Sequence, residues 1–119
     1  MASFADFVAS RPAVEEQMTM IRHYADVLVE ALLLDFKRGS SLEYSYEIEE
    51  ARKYLKIWML TESGSRSIHA FIDRKTGDVY KPASVKAPAK GIRYNVLDQA
   101  SRDLMLSRAN WAGGYLYAR

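Results

Sequence analysis

At 119 residues, 49% of them apolar and 27% charged, the chain fits one globular domain that can bury a core without metals or crosslinks. It has no cysteine, which excludes disulfides, thiolate zinc sites, iron–sulfur clusters and a cysteine nucleophile. A net charge of +2 is too small to imply a polyanionic partner by itself.

The first ten residues carry no basic leader and place Asp6 inside their apolar stretch, so no signal peptide is expected. The longest apolar run, Ala31-Leu-Leu-Leu34, falls far short of the ~20 residues of a membrane span. Together with the lack of cysteine, this points to a soluble, cytoplasmic protein.

Ser10-Arg-Pro-Ala-Val-Glu-Glu16 reads as a helix start. Ser10 or Arg11 is the cap, Pro12 stands in the first turn, and Glu15 and Glu16 lie near the positive end of the helix dipole. Val14, Met18, Ile21, Ala25, Leu28 and Leu32 then recur three or four residues apart as one stripe, widened by Tyr24, Val27, Ala31 and Leu34. Lys37 and Arg38 meet the negative end, and Gly39 can take the left-handed cap. The spacing predicts one helix over 12–38, about 40 Å long.

Leu42, Tyr44, Tyr46 and Ile48 alternate with Glu43, Ser45 and Glu47, the pattern of a half-buried strand. After a turn at 49–52, residues 54–61 are β-rich and apolar on both faces, as a central strand covered by the helix would be. Glu62-Ser-Gly-Ser65 is a hairpin turn. Residues 66–73 alternate again, with Ile68, Ala70 and Ile72 on one face and Ser67, His69 and Phe71 on the other. Asp73-Arg-Lys-Thr-Gly-Asp78 is a second turn, in which Gly77 supplies a positive φ. Val79 to Lys81 begins the returning strand, and Pro82 ends it.

Residues 82–93 hold two prolines, one glycine and three alanines without helical or strand period, and read as an ordered loop. Asn95 is a candidate cap for a second helix near 96–108, with Val96, Leu97, Ala100, Leu104 and Met105 inward. Ala112-Gly-Gly114 is a turn, followed by a short closing strand or docked tail over 115–117.

Candidate chemistry is sparse. His23 and His69 have no ligand partner at helical or strand spacing, so structural roles are expected and no metal site is assigned. The Asp73–Asp78 turn lacks calcium-loop spacing. No Gly-x-Ser-x-Gly elbow is present, no cofactor is implied, and the chain is not expected to be an enzyme.

The segment Lys81-Pro-Ala-Ser-Val-Lys-Ala-Pro-Ala-Lys-Gly-Ile-Arg93 carries four cations and no acid, while acidic residues outnumber basic ones in the rest of the chain. Lys81, Lys86, Lys90 and Arg93 on a proline-stiffened loop could bind nucleic acid or another polyanion, with Tyr80 and Tyr94 stacking on bases if exposed. The plainer alternative, which the residues favour, is a strap across the sheet with its lysines solvated. In the tail, Trp111, Tyr115 and Tyr117 could form a partner surface or close the core.

Three stretches are familiar together: Gly77-Asp-Val-Tyr-Lys-Pro-Ala-Ser84, Lys86-Ala-Pro-Ala-Lys-Gly-Ile-Arg-Tyr-Asn95 and Asn110-Trp-Ala-Gly-Gly-Tyr-Leu-Tyr117. Over residues 53–117 the chain resembles small uncharacterised proteins of tailed phages and related viral or environmental genomes. The resemblance implies a phage-related origin and a place in the host cytoplasm, and it transfers no activity. Where those proteins carry a tryptophan after Ser84, this chain has Val85, so no stacking role passes to that position.

The expected architecture is a single α+β domain over 1–119. A long N-terminal helix packs on a four- to five-stranded antiparallel meander, with a shorter C-terminal helix. The expected role is a small accessory protein binding nucleic acid or another polyanion. The alternative is a protein–protein or virion-associated module, such as a homodimer.

Overall fold

The computed structural model describes the backbone of residues 4–39, 44–110 and 112–117, and the side chains of those residues from Ala13 onward, except 36–39. The order is α1 (Phe4–Gly39), β1 (Tyr44–Glu50), β2 (Tyr54–Thr61), β3 (Arg66–Asp73), β4 (Asp78–Tyr80), β5 (Tyr94–Asn95) and α2 (Gln99–Arg108). A single 3-10 turn over Gly114–Leu116 follows. The five strands pair antiparallel in chain order, so the sheet is a meander and the fold is α+β.

α1 lies over β1 and β2 on one face of the sheet, here called the inner face. Ile21, Ala25, Leu28 and Leu32 are fully buried against a core that includes Leu55, Ile57, Ala70, Ile72 and Val79. Burying one such aliphatic side chain is worth roughly 1.5–3 kcal/mol. Tertiary packing therefore holds the helix more than intrinsic propensity does. The stripe stops working at its ends, because Val14 and Leu34 are exposed. The helix also begins at Phe4 and runs through Pro12, where a start at 12 was expected. Proline's fixed φ is already helical; inside a helix it removes one amide donor and crowds the carbonyl four residues before, and α1 accepts that loss. Gly39 is the helix's last residue, not a cap beyond it. The predicted strand residue Leu42 lies outside the described residues.

β2 and β3 fall where the alternation placed them, and Gly64 takes a positive φ in their hairpin. The facing of β3 needs correction. Its register against β2 shifts between Ile57 and Trp58, so that Ile57 pairs with Ala70 while Trp58 pairs with Ile68. The extra residue is His69. This bulge puts Ile68 on the outer face beside Trp58 and leaves His69 buried on the inner side, where its ring meets Tyr46 and Tyr115. Phe71 stays outward, fully buried beneath Tyr54 and Tyr80.

The fifth strand is Tyr94–Asn95, and residues 114–116 form a 3-10 turn where a closing strand was one of two expectations. Asn95 pairs with Asp78 in the sheet and cannot also open the helix, so Asp98 caps α2 by accepting from the Ser101 amide. Asn95 Oδ1 instead accepts from the amides of Leu97 and Asp98 at 2.8 and 3.0 Å. Its Nδ2 donates to Thr76 O and to Asp78 Oδ1. One side chain thus ties the β3–β4 turn, β5 and the approach to α2. Of the helix residues expected inward, Met105 is buried, whereas Leu104 and Ala100 are exposed. No helix among the described residues is long and apolar enough to cross a membrane.

Candidate functional site

The segment after β4 is folded back on itself. Pro82 and Pro88 form an antiparallel bridge, the Ala83 and Ser84 amides donate to Ala87 O, and the Ala89 amide donates to Lys81 O. Ser84 Oγ accepts from the amides of Lys86 and Ala87 at the tip. The base is closed by the Arg93 amide donating to Val79 O. With two X-Pro steps biasing the chain toward extended backbone, the segment is a pinned, hairpin-like strap.

A residue in the sheet anchors its tip. Lys56, at the centre of β2 on the outer face, donates from Nζ to Val85 O at 3.0 Å. The same ammonium lies 5.7 Å from the centre of the Phe71 ring. The strap thus sits by the outer face, opposite α1, on the side where Phe71 is covered.

The structure sorts the expected cations into two groups. Lys81 is half-buried with Nζ 4.6 Å above the ring of Tyr117, and Arg93 is half-buried with its Nε lacking a partner. Lys86 and Lys90 are exposed. None of the four is ion-paired with a carboxylate among the described residues. Tyr80 is half-buried beside Tyr54, their ring centres 6.2 Å apart. Tyr94 must be removed from the stacking set: it is 4% exposed and its hydroxyl donates to Tyr115 O at 2.8 Å. The strand that carries Tyr94 turns it to the core.

The tail residues separate similarly. Tyr115 is 3% exposed and closes the core, as one of the two expectations held, so it is no partner surface. Tyr117 is 60% exposed and meets Lys81, while Trp111 lies outside the described residues. Gly113, in the left-handed region at φ +81°, turns the chain so that Tyr115 enters the interior.

Tyr115 meets the one buried histidine among the described residues. His69 Nε2 and Tyr115 Oη are 2.8 Å apart, and the Tyr46 ring stands edge-on to the imidazole. Burial lowers the His69 pKa from 6.5 to about 4. Burial likewise raises the Tyr46 phenol to about 12, with Asp35 and Tyr44 adding to the effect, and pushes Tyr115 higher still. With His69 only 7% exposed, the cluster offers no room for a substrate at its nitrogen. It is a satisfied polar insert in the core. No group of three metal-ligating side chains occurs among the described residues.

The outer face adds residues that the sequence pattern alone did not single out. Trp58 donates from Nε1 to Glu49 Oε1 at 2.8 Å, and the Arg66 guanidinium stacks 4.3 Å above its ring. Tyr54, Lys56 and Trp58 stand at alternate positions of β2. The available signal was a lysine at the centre of an otherwise apolar strand, flanked by aromatics two residues away on each side.

No curated protein and no solved structure matches the chain. A family model does, over residues 4–118 and therefore over helix, sheet, strap and tail together, and the chain belongs to that family, a family of unknown function (DUF7717).

Proposed function

We propose that the protein is a small, non-enzymatic accessory protein of the tailed-phage type that binds single-stranded nucleic acid along the strap and the adjoining outer face of the sheet. The observation that carries this reading is the pinned strap. Its exposed Lys86 and Lys90 stand on a segment closed by backbone hydrogen bonds and tied to the sheet by Lys56, so little chain entropy is lost when they meet phosphates. Aromatic rings partly open to solvent, Tyr54, Tyr80 and Trp58, lie on the same face. Cations beside ring faces suit single strands, whose bases can stack.

The test is fluorescence polarisation with labelled oligothymidylate over a salt series, with heparin as a base-free polyanion. Affinity should fall steeply with salt, and Lys86→Ala with Lys90→Ala should flatten the logarithmic slope by roughly one to two. Heparin should compete less well than the oligonucleotide. Absent or salt-independent binding would refute the reading.

One observation favours a second reading, self-association through α1. Its 36 residues span about 54 Å, twice the roughly 27 Å of an eight-residue strand, and Val14 and Met20 are exposed. Sedimentation equilibrium distinguishes the two, since a monomer at every concentration removes the dimer.

A further inference from the structure

We propose that a basic cleft between the β1–β2 and β3–β4 turns is a second ligand site, which takes a phosphate monoester attached to an apolar or aromatic body. The cleft has a volume of about 490 Å3, within the range of small-molecule sites. Arg52 and Lys53 line it from the first turn, and Arg74 and Lys75 from the second. Along the chain the two stretches are separate turns with no shared motif. Their pairing across the end of the sheet is what brings four cations to one opening.

The local acids are already engaged. Asp73 lines the cleft, but its Oδ1 accepts from the amides of Lys75 and Thr76 at 2.8 and 3.0 Å. Glu50 pairs with Arg22 at 3.0 Å, and Glu49 accepts from Trp58. None of the four cations is ion-paired with a carboxylate among the described residues. Lys53 lies over the Tyr54 ring instead, and Arg74 Nη1 donates to Ala51 O at 2.9 Å. The lining therefore sets four cations against the single carboxylate of Asp73, a local positive excess in a chain whose net charge is small.

The frame is rigid. The Arg74 amide donates to Lys53 O, which locks one turn to the other, and Gln17 of α1 donates to Lys75 O. A ligand would not have to order these turns. Met18 lines the cleft from α1, an adaptable thioether suited to an apolar body. A planar carboxylate can occupy one guanidinium, whereas a dianionic phosphate has three terminal oxygens to share between the two turns. The volume exceeds what phosphate itself fills. Lys86 and Lys90 take no part, so this site stands or falls independently of the strap.

The experiment titrates the isotope-labelled full chain with adenosine monophosphate, with adenosine, and with oligothymidylates ending in a 5′-phosphate or a 5′-hydroxyl. Amide shifts are followed in both turns and in the strap. Saturable shifts at Arg52, Lys53, Lys75 and Thr76 are expected with the phosphate-bearing probes and not with adenosine or the hydroxyl end. Binding by the mononucleotide assigns a free nucleotide; binding by the 5′-phosphorylated oligonucleotide but not the mononucleotide assigns a nucleic-acid end. Lys53→Ala with Lys75→Ala should weaken the binding read at these turn amides roughly tenfold or more. Both replaced side chains are exposed, so the fold should hold, and a dispersed amide spectrum verifies it. Equal responses to adenosine and its monophosphate, no response to any phosphate-bearing probe, or undiminished affinity in the double variant would overturn the proposal.

Discussion

Acid should destabilise this protein through one residue, His69. Its folded-state pKa is depressed from 6.5 to about 4 by burial, while in the unfolded chain it returns to its ordinary value. Unfolding therefore takes up a proton between those two values. The stability contribution is accordingly complete above pH 6.5 and is lost as pH falls toward 4. Each pH unit between the two values costs about 1.4 kcal/mol, so the loss across the window is about 3 kcal/mol. That is a large share of a typical domain stability of about 5–15 kcal/mol. Urea unfolding at a series of pH values should show the midpoint retreating by roughly 1–2 M across this range, mostly before carboxylates titrate. His69→Gln supplies the control. Having lost the edge contact with Tyr46, it should start less stable at neutral pH but follow a flatter curve. Parallel curves for the two proteins, or a His69 imidazole that titrates near 6.5 by NMR, would refute the reasoning.

Asn95→Ala removes four hydrogen bonds at once and should cost roughly 2–4 kcal/mol by chemical denaturation; a loss below about 0.5 kcal/mol would mean that water replaces them all. Gly77→Ala and Gly64→Ala form a matched pair, both at positive φ, at +80° and +86°. A Cβ at Gly77 would lie 3.1 Å from Val96 and from Leu97, whereas at Gly64 it would meet nothing within 4 Å. Thermal melting should rank Gly77→Ala as worse by about 1 kcal/mol or more, and equal losses would contradict the packing argument. Lys56→Met keeps the stem over Phe71 and deletes the bond to Val85. Amide exchange at Ala83, Ser84 and Ala87 should quicken while global stability changes by under about 1 kcal/mol, and unchanged exchange would show that the strap does not need its anchor.

Much of the fold was legible because its signals are local. The i, i+3, i+4 stripe from Ile21 to Leu32 survived intact, and Gly64 and Gly77 punctuated the strands where the alternation said they should. What failed depended on partners distant in sequence. Two residues, Tyr94 and Asn95, form a strand only because Val79 and Asp78 are there to receive them. Val14 and Leu34 keep the apolar period but are exposed, since the stripe outlasts the surface beneath it. Leu104 and Met105 are equally apolar neighbours, and the choice between them rests on where α2 begins. For the strap, composition reveals the cations but not their surroundings. Lys81 is matched with Tyr117 by folding, and the Tyr94 ring is taken inside by its strand.

The bulge at His69 has a consequence for what the molecule displays. Side-chain facing along a strand is a parity, and one inserted residue reverses that parity for everything beyond it. Arg66 and Ile68 accompany Trp58 on the outer surface because His69 is counted as an extra residue. Straightening the bulge, with His69 kept and paired opposite Trp58, would do more than move an imidazole out of the core. It would carry Arg66 and Ile68 toward the helix side and strip Trp58 of its cation. An irregularity that holds a histidine inside thus also writes part of the outer surface, and the two cannot change independently.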